Sequence, residues 1–121
     1  MVLDDVEAMV VAFLDARVTQ PVSTRIPNPR PATFVRAWRT GGSAVNRVLE
    51  QAQITVQGWA SDDVSAGDLT RQCRGSLFND YTAMPLVKRV EEVAGLYYDP
   101  DPETGISRYS FTVSLMVRAH R

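Results

Sequence analysis

The sequence predicts an α+β fold, a two-layer sandwich in which two helices cover a mostly antiparallel, four- to five-stranded sheet. Three observations predict it. The last segment alternates strictly: Tyr109, Phe111, Val113, Leu115 and Val117 fall on one face, and Arg108, Ser110, Thr112, Ser114 and Arg118 on the other. Such a strand is covered on one side and polar on the other. Two further segments carry apolar stripes at helical spacing. Between them lie strand-like runs in the order helix, two strands, strand, helix, hairpin.

Residues 4–16 read as the first helix. Val6, Met9, Val10, Phe13 and Leu14 recur at steps of three and four, and Asp4, Asp5 and Glu7 sit in the first turn, where the helix dipole favours them. Pro21 follows its end. "VSTRI" (22–26) reads as a short strand. Pro27, Pro29 and Pro31 then exclude a paired central strand, because proline lacks the amide donor. Each also pushes its predecessor toward extended geometry, so residues 26–31 are expected to form a stiff extended arm near polyproline II. "TFVRAWRT" (33–40) is the next strand. Gly41 and Gly42 are expected to open a flexible connection running to about Glu50. "AQITVQGWA" (52–60) alternates, with Ile54 and Val56 opposite Thr55 and Gln57.

Ser61 is the expected N-cap of the second helix, followed by Asp62 and Asp63 in its first turn. Ala66, Leu69, Cys73, Leu77 and Phe78 make its apolar stripe, which ends near Asp80. Gly67 and Gly75 each weaken this helix by about 1 kcal/mol relative to alanine, unless they serve close packing on the sheet. Residues 86–98 read as a strand bent at Gly95, and "DPDPETG" (99–105) as a turn-rich loop.

All 121 residues fit one domain, and a chain of this size buries roughly two thirds of its unfolded surface without needing staples. No apolar run approaches the roughly 20 residues that span a bilayer, and the acidic start argues against a signal peptide. The one cysteine, Cys73, excludes an internal disulfide. The net charge of −1 hides an asymmetry. Between Asp15 and Glu50 there is no acidic residue, and Arg17, Arg25, Arg30, Arg36, Arg39 and Arg47 give that interval a charge of +6. The remainder carries −7. Unlike surfaces on one chain suit nucleic acid or self-association, or else an arginine-rich solvated loop region.

Residues for catalysis are scarce. His120, the single histidine, is next to the C-terminal residue, a poor place for a general base. One Cys and one His cannot make an ordinary zinc site, and Cys73 lies on an apolar stripe as a buried thiol would. No phosphate-binding glycine motif is present. Asp62/Asp63 mark a helix start, Glu91/Glu92 alternate across a strand, and Asp99/Asp101 belong to a turn without calcium-loop spacing. No cofactor and no metal are therefore expected. Arg25, Arg30, Arg36, Arg39 and Arg47 interleave with Phe34 and Trp38, a composition able to stack bases and hold phosphates. Arginine with tryptophan is equally the composition of protein interface hot spots. With one lysine in the chain and a slightly acidic total, protein contact is favoured.

The series of motifs resembles the tail terminator proteins of long-tailed phages with non-contractile tails, especially those of actinobacterial hosts. The resemblance covers nearly the whole chain. It runs through the opening amphipathic helix, "VSTRIPNPRPATFVRAWRTGG", "VQGWA", "SDD", "VKRVEEVAG", "DPDPETG" and "RYSFTVSLMVRAH". The R-I-P-N-P-R-P arm and the R-T-G-G turn are its more specific parts. The stretch "SAVNRVLE" departs from it in carrying fewer basic residues than such proteins often have there. The resemblance implies no enzyme. It implies a virion protein assembled in the host cytoplasm into a homo-oligomeric ring, typically of six subunits, on the head-proximal end of the tail tube. The ring stops polymerisation of the tube protein and offers a surface to the head–tail connector and neck proteins. DNA passes through its lumen without sequence-specific binding, and no membrane is involved. Other neck or tail-completion subunits fit the same residues. Arg25, Arg30, Arg36, Trp38, Arg39, Gly41, Gly42 and Arg47 are then the expected contact residues toward a neighbouring subunit or ring.

Overall fold

A computed structural model describes residues 5–119; Asp4 and His120, both singled out above, lie outside them. The chain runs α1 (Val6–Asp15), β1 (Val22–Ser23), β2 (Phe34–Ala44), β3 (Leu49–Ala60), α2 (Asp63–Asp80), a 3-10 turn (Tyr81–Ala83), β4 (Val87–Tyr98) and β5 (Ser107–Arg118). The strands form one five-stranded sheet in the order β1-β2-β3-β5-β4. Only the short β1 runs parallel to its neighbour; every other pairing is antiparallel. Both helices pack on the sheet, which makes the α+β two-layer sandwich.

β5 keeps its two faces, but the polar one is not open as expected: Ser110 and Thr112 are buried as well. Phe111, Val113, Leu115 and Val117 are buried on the helix side with Ile54 and Val56 of β3, and with Val35 and Ala37 of β2. From above, α1 contributes Val6, Val10, Phe13 and Leu14, and α2 contributes Leu69, Cys73 and Leu77. Phe78 is only partly buried. The closest approach of α2 to the sheet falls at Gly58, where an added Cβ would overlap Thr70 Oγ1. Of the two helix glycines, Gly67 is buried and packs toward Tyr109 of β5, while the half-exposed Gly75 meets no part of the sheet. No helix among the described residues is long and apolar enough to cross a membrane.

Several expectations need correction. The segment "VSTRI" pairs only at Val22 and Ser23. Residues 26–31 are unpaired, as their prolines require, but the segment bends at Asn28–Pro29 and again at 32–33 instead of running straight. Gly41 and Gly42 do not begin a flexible connection. They lie inside β2, opposite Gln53 and Ala52, just after a register shift that leaves Thr40 as an extra residue. Gly42 has φ +111°, and a Cβ there would overlap the Gln51 carbonyl, so glycine is demanded by a tight strand path. The connection itself is only Val45–Val48, held by Asn46 Oδ1, which accepts from the amides of Val48 at 2.9 Å and Leu49 at 3.0 Å. Helix α2 is capped by Asp62, which accepts from Ser65 N at 2.8 Å, not by Ser61. The bend expected at Gly95 appears as two register shifts, between Glu92 and Ala94 and between Ala94 and Tyr97.

Candidate interaction surface

The side of the sheet away from the helices carries Arg36 and Trp38, with Arg30 reaching over it from the proline segment. Registers place Phe34 beside Trp59 and Trp59 beside Arg108; Arg36 beside Gln57 and Gln57 beside Ser110; Trp38 beside Thr55 and Thr55 beside Thr112. These three rows run across β2, β3 and β5. Although no helix covers them, their middle is closed to water. Gln57, Ser110 and Thr112 are all buried, and Trp59 is only 1% exposed.

Side chains do the covering. At the end of the sheet nearest the proline segment, Trp59 stacks on Phe34 with ring centroids 5.1 Å apart and planes 20° from parallel. Two guanidinium groups lie over Trp59, Arg30 at 5.6 Å and Arg108 at 4.8 Å. Cations over an indole are attracted by its negative face. Arg108 is also fixed by the β4–β5 loop: its Nε donates to Asp99 O at 2.7 Å, and its guanidinium faces Asp99 and Asp101. Asp99 in turn accepts from Ser110 Oγ at 2.9 Å and Gln57 Nε2 at 3.4 Å. In the third row the Thr55 and Thr112 hydroxyls share a hydrogen bond of 2.8 Å. Two buried polar atoms, Trp59 Nε1 and Gln57 Oε1, have no hydrogen-bond partner among the described residues.

The proline segment folds over this end. Arg30, Pro31 and Ala32 form one wall of a cavity of about 340 Å³ whose other side is Phe34, Trp59, Ser61 and Ile106. Further along β2, Arg36 Nε donates to Thr24 O at 3.0 Å, and its guanidinium lies 3.9 Å from the centre of the half-buried Trp38 ring. Burial, and then the nearby charge of Arg108, pull the Arg36 guanidinium below its ordinary pKa, with Glu7 opposing.

The eight contact candidates therefore separate. Arg25 and Arg30 are exposed on the segment between β1 and β2, and neither has a carboxylate partner among the described residues. Arg36 and Trp38 form a stacked pair on the same side. Arg39 lies apart, turned toward the helices. Its amide donates to Glu7 Oε2 at 2.9 Å, its Nη1 meets Glu50 Oε1 at 2.6 Å, and its Nε donates to Gly41 O at 3.0 Å. It ties α1 to the β2–β3 hairpin and is occupied within the chain. Gly41 and Gly42 shape β2, and Arg47 is exposed at the hairpin tip, at the other end of the sheet. By residue type Trp59, like Trp38, reads as a packing or interface anchor, and it is one here; sequence reasoning did not place Trp59, Arg108 and Asp99 together on this surface. A signal existed for two of them: Trp59 is in phase with Gln57, and Arg108 with Ser110, so each belongs to the polar face of its strand.

The arrangement offers surface recognition: aromatic rings clamped under guanidiniums, unpaired cations at one edge and an adjoining cavity. Among the described residues no group of three His, Cys, Asp or Glu side chains is placed to hold a metal ion. No protein-family model matches the chain, and no curated protein sequence matches it.

Proposed function

We propose that this protein is a tail terminator of a long-tailed phage with a non-contractile tail. It forms a ring, of six subunits, at the head-proximal end of the tail tube, stops tube polymerisation and offers the attachment surface for the connector. The reading rests on the motif resemblance along nearly the whole chain. The observation that carries it into three dimensions is the proline segment. One of the two more specific motifs of the resemblance, R-I-P-N-P-R-P, lies against Trp59 through Arg30 at one end of the sheet, with Arg25 and Arg30 left exposed and without carboxylate partners among the described residues. A segment held in place this way meets a partner at low ordering cost. Another neck or tail-completion subunit has the same surface and differs in what it touches.

The test is genetic and structural. Arg25→Ser with Arg30→Ser is expected to leave the melting temperature of the isolated protein nearly unchanged, since exposed charges contribute little to folding. Phage carrying the pair are expected to make over-long or headless tails. Tails of normal length, joined to heads, would overturn the reading of this segment. A particle reconstruction without this protein at the tube end would overturn the assignment itself.

A further inference from the structure

Two patches of opposite charge meet the Trp59 cavity at one end of the sheet, the proline segment from the β2 side and the β4–β5 loop, through Ile106, from the β5 side. One is the proline segment beside β1 and β2, with Arg25, Arg30 and Arg36 and no acidic residue between Asp15 and Glu50. The other is the β4–β5 loop, with Asp99, Asp101 and Glu103 and no basic residue between Arg89 and Arg108; Asp99 and Asp101 face Arg108, and Glu103 is exposed. Like Arg25 and Arg30, Glu103 has no oppositely charged partner among the described residues.

Both patches are held in shape before any contact. The loop is closed by Asp99 N to Arg108 O at 2.8 Å, Asp101 N to Ile106 O at 3.1 Å and Gly105 N to Asp101 O at 2.8 Å. The Thr104 hydroxyl bonds the Asp101 carboxylate and, with the Thr104 amide, keeps it below its ordinary pKa, so this loop stays anionic near neutrality. The opposite patch is set by Arg30 over Trp59 and by Arg36 bonded to Thr24 O. The loop tip also presents exposed apolar surface at Pro100 and Pro102, with Tyr97 and Tyr98, each 48% exposed, at its base. The cavity beside Arg30, walled by Phe34, Trp59 and the chain's own Ile106, has apolar walls and one cation at its rim.

We propose that the β4–β5 loop of a second copy of this chain docks on the proline segment, its Pro102–Glu103 tip meeting the mouth of the Arg30–Trp59 cavity and the Glu103 carboxylate pairing with Arg25 or Arg30. The contact is heterologous, because the two patches differ, so repetition generates a ring or an open chain. Since both patches sit at one end of the sheet, every copy keeps that end facing the same way, as a ring with two unlike faces requires. The inference rests on the ring reading above for its closure, and on the charge and shape of the two patches for the contact itself.

Cysteine cross-linking tests it, because Cys73 is fully buried and does not compete. Arg30→Cys and Glu103→Cys are made as separate proteins, both at exposed positions, and each is checked for an unchanged melting temperature. With a short bis-maleimide, an equimolar mixture is expected to give a dimer containing one copy of each, while neither protein alone cross-links. A chain carrying both cysteines is expected to give a ladder ending at the closed ring. Light scattering over a concentration series is run in parallel. Oligomers without the mixed cross-link overturn the docking and leave the ring standing. A mixed cross-link in an open-ended series supports the docking and overturns the ring. Monomers without any cross-link at the highest concentration overturn both. As an independent arm, Arg30→Glu is expected to weaken association at least tenfold and Glu103→Arg in the same chain to restore it; no restoration overturns the pairing.

Discussion

The two faces of the sheet are buried by different physics. Toward the helices, Phe111, Val113 and Leu115 belong to one apolar core with the stripes of α1 and α2, and water is excluded by area and packing. On the far side, Ser110 and Thr112 of the same strand are buried with no helix above them. There exclusion is done by directional contacts: guanidiniums over tryptophans, Asp99 gathering Ser110, Gln57 and Arg108, and one threonine pair. The first kind of burial tolerates any apolar partner of suitable shape. The second fixes which side chains stand where, and so builds a surface with a definite pattern of charge. The apolar burial that stabilises the fold is mainly on the helix side, and the patterned charge on which the proposed contact rests is on the far side.

The largest expected effect tests the helix side. Phe111 is fully buried on the helix side, and Phe111→Ala removes a large side chain and leaves a cavity. The expected loss is about 3–5 kcal/mol by denaturant unfolding. A change below about 1 kcal/mol would mean that the helix side collapses easily around the gap, and the comparison would fail.

A second test uses pH on the same side. Burial pushes the Cys73 thiol from 9.0 up to about 12. The folded state therefore keeps its proton where the unfolded chain loses it. The resulting stability is fully present below pH 9 and is lost as pH rises toward 12. Within that window the slope approaches about 1.4 kcal/mol per pH unit. Cys73→Ala removes this slope while lowering stability at neutral pH by a constant amount. The check is the difference between the two proteins' unfolding free energies from pH 8 to 10.5. A difference that stays flat across that range would show that water reaches the thiol and that the helix side is not dry.

These faces were not equally legible. The helix side could be read because its signal is local: period two along β5 and steps of three and four along α1 and α2. The far side depends on registers between strands distant in sequence. Trp59 and Arg108 meet only because Trp59 lies opposite Arg108 on β5. Arg39 was read as a contact residue because its ion pair with Glu50 requires the hairpin to continue through Gly41 and Gly42, and two glycines in a row look like a hinge. The cap of α2 was off by one residue because Ser61 and Asp62 are both good caps, and only the chain's path selects between them. The course of the proline segment was misread for a related reason. Proline forbids pairing but does not say what the segment will lie against, and here that is the ring of Trp59.

The smallest expected effect sharpens the far side. Arg36 lies 3.9 Å over Trp38 and donates to Thr24 O, so it joins β2 to the start of the proline segment. Arg36→Lys keeps a charge but loses the planar group that stacks and the Nε donor aimed at that carbonyl. The expected loss is modest, about 0.5–1 kcal/mol, because the site is only partly buried. Association should respond more than stability. Without the stack, Trp38 and residues 24–30 are no longer held in one arrangement, and a partner must order them on binding. Titration calorimetry or scattering is thus expected to show self-association weakened several-fold, beside a melting temperature changed by a few degrees at most. Trp38 fluorescence, read in a Trp59→Phe background to isolate it, should shift to the red as the ring meets water. If Arg36→Lys left both the fluorescence and the association unchanged, the stacked pair would be a passive cover for β2, and the far side would need another source for its recognition.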